Sequence, residues 1–241
     1  MRFCLFFFLF SGMSPLGGSN TSVPLVSRRL AYLLRSASDA ERRSLLGSED
    51  LKDLVELALE HREGFRPRDV ASVMHALATM RLRDVRLLKA LTELVIQKTD
   101  RFNQYDCALL LYSYAVLKVQ PGRFIGGLVS RQFGTPELAS SFKPQDLSMS
   151  LWALAKMGVD FVEHERQVLA LAERLVPEMN QQALSNTLWA LANLNVYDIS
   201  VMGTAADRAA VLLQGTMGGG SSGIPPDAAP KHVLPGCAFA P

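Results

Sequence analysis

An internal repeat constrains this chain more than any other feature. Four segments, 65–80, 102–117, 142–157 and 179–194, align without gaps, and their starts lie 37, 40 and 37 residues apart. Positions are counted here from the first residue of each segment. Position 1 is Phe65, Phe102, Phe142 or Met179, and position 14 is always alanine: Ala78, Ala115, Ala155 and Ala192. Large apolar residues recur at positions 6, 10, 13 and 16, as in Val70, Met74, Leu77 and Met80 or Leu184, Leu188, Leu191 and Leu194. Spacings of four, three and three place them on one stripe of an α-helix. An invariant small residue inside such a helix lets a neighbouring helix approach closely. Position 11 holds His75, Tyr112, Trp152 and Trp189, large anchors suited to filling the gap between successive repeats.

The helix starts are marked as well. Pro67 and Pro144 suit the first helical residue, whose N–H has no partner in any case. Asp69, Asp106 and Asp146 then fall on the third, where a carboxylate reaches the unpaired N–H groups. In the fourth repeat Ala183 replaces the aspartate and leaves Asn180 as the N-cap. Second helices follow over 85–98, 122–133, 162–176 and 198–214, the last closed by Gly215, and an earlier helix spans 49–62. The third segment is preceded by a three-residue insertion. Two helices of this length cannot bury their apolar faces alone, so the pairs must stack. The expectation is an all-α fold, a right-handed α-α superhelical solenoid of about four two-helix repeats of about 37 residues.

Four regions follow from this reading. Residues 65–214 form the repeat domain and 39–64 a degenerate N-terminal half-repeat. Residues 1–38 read as a targeting leader: eight apolar residues run from Phe3 to Phe10, and the serine- and arginine-rich stretch after them has no acid before Asp39. That leader points to a mitochondrion or plastid, with the mitochondrial matrix slightly preferred. An apolar run of eight is far short of the roughly 20 residues of a membrane span. Residues 215–241, with six Gly and five Pro, read as a disordered tail.

Chemistry-bearing motifs are missing from the sequence. The three cysteines, Cys4, Cys107 and Cys237, are far apart, and none of the four histidines has a ligand-spaced partner. Gly215 to Gly223 follows a helix and precedes prolines, which is not the setting of a phosphate loop. No catalytic residue, metal, cofactor or small-molecule substrate is expected. The charge is uneven: residues 62–131 hold 12 basic and 6 acidic residues, net +6, and residues 132–214 hold 5 and 9, net −4.

What remains is the surface of the first helices. Modular helical readers of RNA take one base per repeat with two or three side chains of that helix. Position 8 (Ser72, Leu109, Met149, Asn186), position 9 (Val73, Leu110, Ser150, Thr187), position 15 (Thr79, Val116, Lys156, Asn193) and position 17 (Arg81, Lys118, Gly158, Asn195) vary and are often polar. The candidate RNA-binding residues are Ser72, Thr79, Arg81, Arg83, Lys118, Arg123, Lys156, Asn186 and Asn193, the basic ones meeting phosphates.

Residues 146–158, DLSMSLWALAKMG, and 184–194, LSNTLWALANL, resemble the first helices of heptatricopeptide and octotricopeptide repeats. The leucine-rich region of FAST-kinase-like proteins and a helical-repeat subunit of the RNA-editing substrate-binding complex are similar in style. The resemblance covers residues 65 to about 200, and the 37-residue heptatricopeptide type fits best. It implies an organellar protein that binds single-stranded RNA and acts in its processing, stability, translation or editing, beside other ribonucleoprotein subunits. Many relatives carry a C-terminal RAP domain, to which residues 215–241 bear no likeness, so no catalysis is expected of this chain. The competing expectation is a protein-binding solenoid, a scaffold in a ribonucleoprotein complex, which the acidic half suits better than RNA.

Overall fold

The computed structural model describes residues 38–217, apart from Pro121 and Asp160. The expected leader, up to residue 37, and the expected tail, from residue 218, lie outside the described residues. Among the described residues there are eleven α-helices and no strand. They are α1 (Asp39–Leu46), α2 (Glu49–His61), α3 (Pro67–Met80), α4 (Val85–Gln97), α5 (Gln104–Val116), α6 (Arg123–Phe133), α7 (Pro136–Ser140), α8 (Pro144–Met157), α9 (Glu165–Leu175), α10 (Gln181–Asn193) and α11 (Ile199–Met217).

The first helices of the four repeats, α3, α5, α8 and α10, form one layer in which each packs along the next, and these are the most extensive helix–helix contacts of the fold. Each also packs against the second helix that follows it, so α4, α6, α9 and α11 form an outer layer. The all-α solenoid follows from this order: the apolar stripe of one pair is covered by the pair behind and the pair ahead. Positions 6 and 13 are buried in all four repeats, as are positions 9 and 12. One contiguous core runs through all of them, from Leu51 to Ala205.

Local chemistry fixes the ends of each inner helix. Pro67 and Pro144 stand at the first helical residue, and the backbone N–H of Arg66 donates to Asp69 Oδ2 at 3.1 Å. Asn103 caps α5 and Asn180 caps α10, accepting from the N–H of Asp106 and of Ala183 at 2.8 Å each. At the other end position 17 is left-handed in every repeat: φ is 54° at Arg81, 52° at Lys118, 64° at Gly158 and 55° at Asn195. The following apolar residue donates back to position 13, as Leu82 does to Leu77, Val119 to Tyr114, Val159 to Leu154 and Val196 to Leu191. This is the Schellman closure, repeated four times.

Basic side chains from the outer layer tie it to the inner one. Lys98 Nζ donates to the carbonyl of Phe65 at 2.6 Å, Arg131 Nε to that of Phe102 at 3.1 Å, and Arg208 Nε to that of Met179 at 2.7 Å. Gln132, fully buried on α6, donates to the Gln104 carbonyl at 3.0 Å and to Ser150 Oγ at 2.9 Å, linking three helices.

Two elements differ from the sequence reading. The helix expected to stop at Gly215 continues to Met217. A single glycine costs a helix only about 1 kcal/mol relative to alanine, and no left-handed turn forms there. The insertion before the third repeat forms the short helix α7, started by Pro136. α7 packs on α6, and a cleft of about 440 Å³ opens between α7, the end of α6 and α9, lined by Phe133, Pro136, Ala139, Leu171 and Arg174.

Candidate functional site

Positions 4, 8, 11 and 15 follow one another at spacings of four, three and four, so they share one face of each inner helix. Successive helices lay these faces side by side and build a strip across the layer. The aromatic residues of position 11 form a ladder along it. His75 and Tyr112 have ring centroids 5.7 Å apart, and Tyr112 and Trp152 are 5.6 Å apart. Lys156, from position 15, then enters the series: its Nζ lies 5.9 Å from the Trp152 ring and 4.9 Å from the Trp189 ring. Both distances are within cation–π range. The ladder is covered in its middle and open at one end, with Tyr112 at 3% exposure and Trp189 at 38%.

At the other edge, position 4 supplies Arg68 and Tyr105. The Arg68 guanidinium sits 4.4 Å from the Tyr105 ring and donates to Asp106 Oδ1 at 2.7 Å. Tyr105 itself is 37% exposed. The aspartates beneath are buried, and Asp146 has its pKa raised, chiefly by burial, against the lowering effect of the Lys143 backbone N–H and nearby cations. They are helix caps rather than acids open to a ligand.

The predicted residues fall in three places. Thr79, Lys156 and Asn193 share position 15 of the strip; Thr79 Oγ1 donates to the His75 carbonyl at 2.9 Å and Asn193 Nδ2 to the Trp189 carbonyl at 2.8 Å. Arg81, Arg83, Lys118 and Arg123 are exposed where the inner helices turn into the outer ones. Arg83 Nη2 reaches the Lys118 carbonyl at 3.4 Å and so brings the turns of the first two repeats together. Among the described residues Arg81, Lys118 and Arg123 make no ion pair, whereas Arg66, Arg68 and Arg86 each hold a carboxylate. Ser72 and Asn186 are the correction: position 8, expected at the surface, is buried, at 6% and 4% exposure. Neighbouring layers close over it, and Ser72 Oγ turns back to donate to the Arg68 carbonyl at 2.7 Å.

Arg68, Tyr105 and Trp189 are surface residues of the strip that the sequence reading passes over. Position 4 lies seven residues before position 11, two turns away on the same face, and that spacing is the signal that identifies it. Trp189 reads as a packing anchor because its equivalents are; among the described residues no further inner helix packs beyond α10.

Among the described residues no helix is long and apolar enough to cross a membrane. Residues 27–217 match the family described as RNA-editing substrate-binding complex 6 protein. Of the resemblances read in the sequence, this match supports the RNA-editing one. No curated protein matches the chain.

Proposed function

The chain belongs to the family of RNA-editing substrate-binding complex 6 proteins, and on that premise we propose that it is a helical-repeat subunit of an organellar RNA-editing complex that holds single-stranded RNA without catalysis of its own. The observation that carries this reading is the strip on the inner helices. It has cations on one side that make no ion pair among the described residues, and stackable rings on its face. Arg81, Arg83, Lys118 and Arg123 meet phosphates. Trp189 and Tyr105, each more than a third exposed, offer stacking surfaces, with Thr79, Lys156 and Asn193 beside the ladder as polar contacts. Ser72 and Asn186 take no part.

The test is RNA binding at several salt concentrations. Four phosphate contacts on a single strand give a log–log salt slope of about −2.8, hence about a 50-fold loss of affinity between roughly 50 and 200 mM salt. Reversing Arg81, Lys118 and Arg123 together should flatten that slope while leaving the helical signal intact. Trp189→Ala should weaken binding by one stacked base, about 1–3 kcal/mol. Absence of binding at low salt would reject the RNA reading. It would favour the second one, a protein scaffold within the same complex, which the net charge of −4 over residues 132–214 supports.

A further inference from the structure

The guanidinium groups at the α3 edge of the strip differ in which donors they keep free. Arg66 sets Nε and Nη2 against Asp69 Oδ2 and Oδ1, at 2.9 and 3.4 Å, so its side-on pair of donors is taken. Arg68 is held in another way. Its one side-chain hydrogen bond among the described residues runs from Nη1 to Asp106 Oδ1, at 2.7 Å, and that aspartate is buried. The centre of the Tyr105 ring lies 4.4 Å from the guanidinium carbon. Neighbouring residues of α5, a carboxylate and a ring, thus fix one side chain of α3. Nε and Nη2, whose N–H groups point the same way from the planar guanidinium, stay unused, and the Arg68 side chain is 48% exposed. Arg81, Lys118 and Arg123 are exposed without such anchors. They can follow a phosphate wherever it lies, whereas Arg68 is set in place.

A fixed fork of two N–H donors selects a ligand edge that carries two adjacent acceptors. A phosphate has such an edge, but here it meets the Asp106 carboxylate, whose charge already balances that of Arg68. A nucleobase is neutral and meets no such repulsion. Guanine offers the matching edge, with O6 beside N7. Adenine sets a donor amine beside its N7, and uracil has no two adjacent acceptors. Cytosine carries N3 beside O2, but it is the smaller ring. The remaining surface of Tyr105, 37% exposed, favours the larger purine by stacking.

We propose that Arg68 and Tyr105 form a guanine site, with Nε and Nη2 of Arg68 donating to N7 and O6 of one guanine of the bound strand. This site rests on the RNA reading above and names the base taken at the α3–α5 edge. The experiment is fluorescence anisotropy of the full chain with a short uridine RNA carrying one central guanine, over a salt series. Replacing that guanine by adenine, cytosine or 7-deazaguanine should weaken binding on the order of tenfold in each case. Arg68→Lys keeps the charge and loses the fork. It should abolish the preference for guanine while the salt slope and the helical signal stay as they were. Lys118→Gln, by contrast, should weaken all four RNAs alike and flatten the slope by about 0.7. Equal affinity for the four RNAs overturns the guanine site and leaves the RNA reading standing. A guanine preference that survives Arg68→Lys also overturns it, as does a loss in Arg68→Lys that is the same for all four. Absence of binding to any of them overturns both the site and the reading beneath it.

Discussion

Lys118 closes α5 in a left-handed conformation, φ 52°, where the third repeat has Gly158 at φ 64°. A side chain in this conformation crowds the following carbonyl at a cost of about 1–2 kcal/mol. Glycine has no such crowding but loses about 0.5–1 kcal/mol through its freedom in the unfolded chain. Lys118→Gly should therefore stabilise the fold by about 0.5–1 kcal/mol, a rise of about 1–4 °C in melting temperature for a domain of this size. Gly158→Ala is the mirror test. An added Cβ there meets nothing within 4 Å, so its effect isolates the backbone, and a loss of similar size is expected. Lys118 is also one of the cations of the proposed RNA surface, and its removal should flatten the salt slope of RNA binding by about 0.7. One substitution then moves stability up and RNA binding down. Thermal unfolding by circular dichroism and fluorescence anisotropy over a salt series read the two effects separately. A lower melting temperature for Lys118→Gly refutes the strain reasoning; a stabilised variant with an unchanged slope refutes the placement of RNA at this turn.

Further outcomes follow from burial. Leu111, on α5, is fully buried, and Leu111→Ala should cost about 2–5 kcal/mol in urea unfolding. Asp146 has a raised pKa because burial disfavours its charged form. The stability linked to it is therefore present at low pH and lost as pH rises through the folded-state pKa. The melting temperature of the unaltered protein relative to Asp146→Asn should accordingly improve as pH falls from neutrality through the carboxylate range, and a flat difference contradicts this. Burial pushes the Cys107 thiol up to about 12, so mass mapping after alkylation should find it unmodified in the native protein and modified in denaturant. Fusion of residues 1–40 to a fluorescent reporter should give an organellar signal; a diffuse cytosolic one contradicts the leader.

The fold can be read from the sequence because its signals are local and repeat four times. The stripe of positions 6, 10, 13 and 16, the proline at two of the starts, the aspartate at three and the fixed alanine need no long-range knowledge. α7 could not be read so, since a five-residue helix has too few turns to show a period. Gly215 misleads because a glycine alone does not stop a helix; the backbone turns left-handed at Gly158 and not at Gly215. The site is less legible for a different reason. Whether position 8 faces solvent depends on how closely adjacent layers lie, and that distance is set by side chains of two other repeats. Ser72 and Asn186 carry surface chemistry in a buried column. Trp189 carries core chemistry at an open end. Composition alone cannot tell these apart.

The central claim is the stacking order of the inner helices, and the left-handed corners at position 17 are exposed in every repeat. Spin labels placed in pairs at Arg81 with Lys118, Arg81 with Gly158, and Arg81 with Asn195 measure that order directly by dipolar spectroscopy. The three distances should climb in sequence order, each longer by about one helix spacing of 8–10 Å. A distance from Arg81 to Asn195 no longer than that to Lys118 would describe a closed bundle and contradict the solenoid.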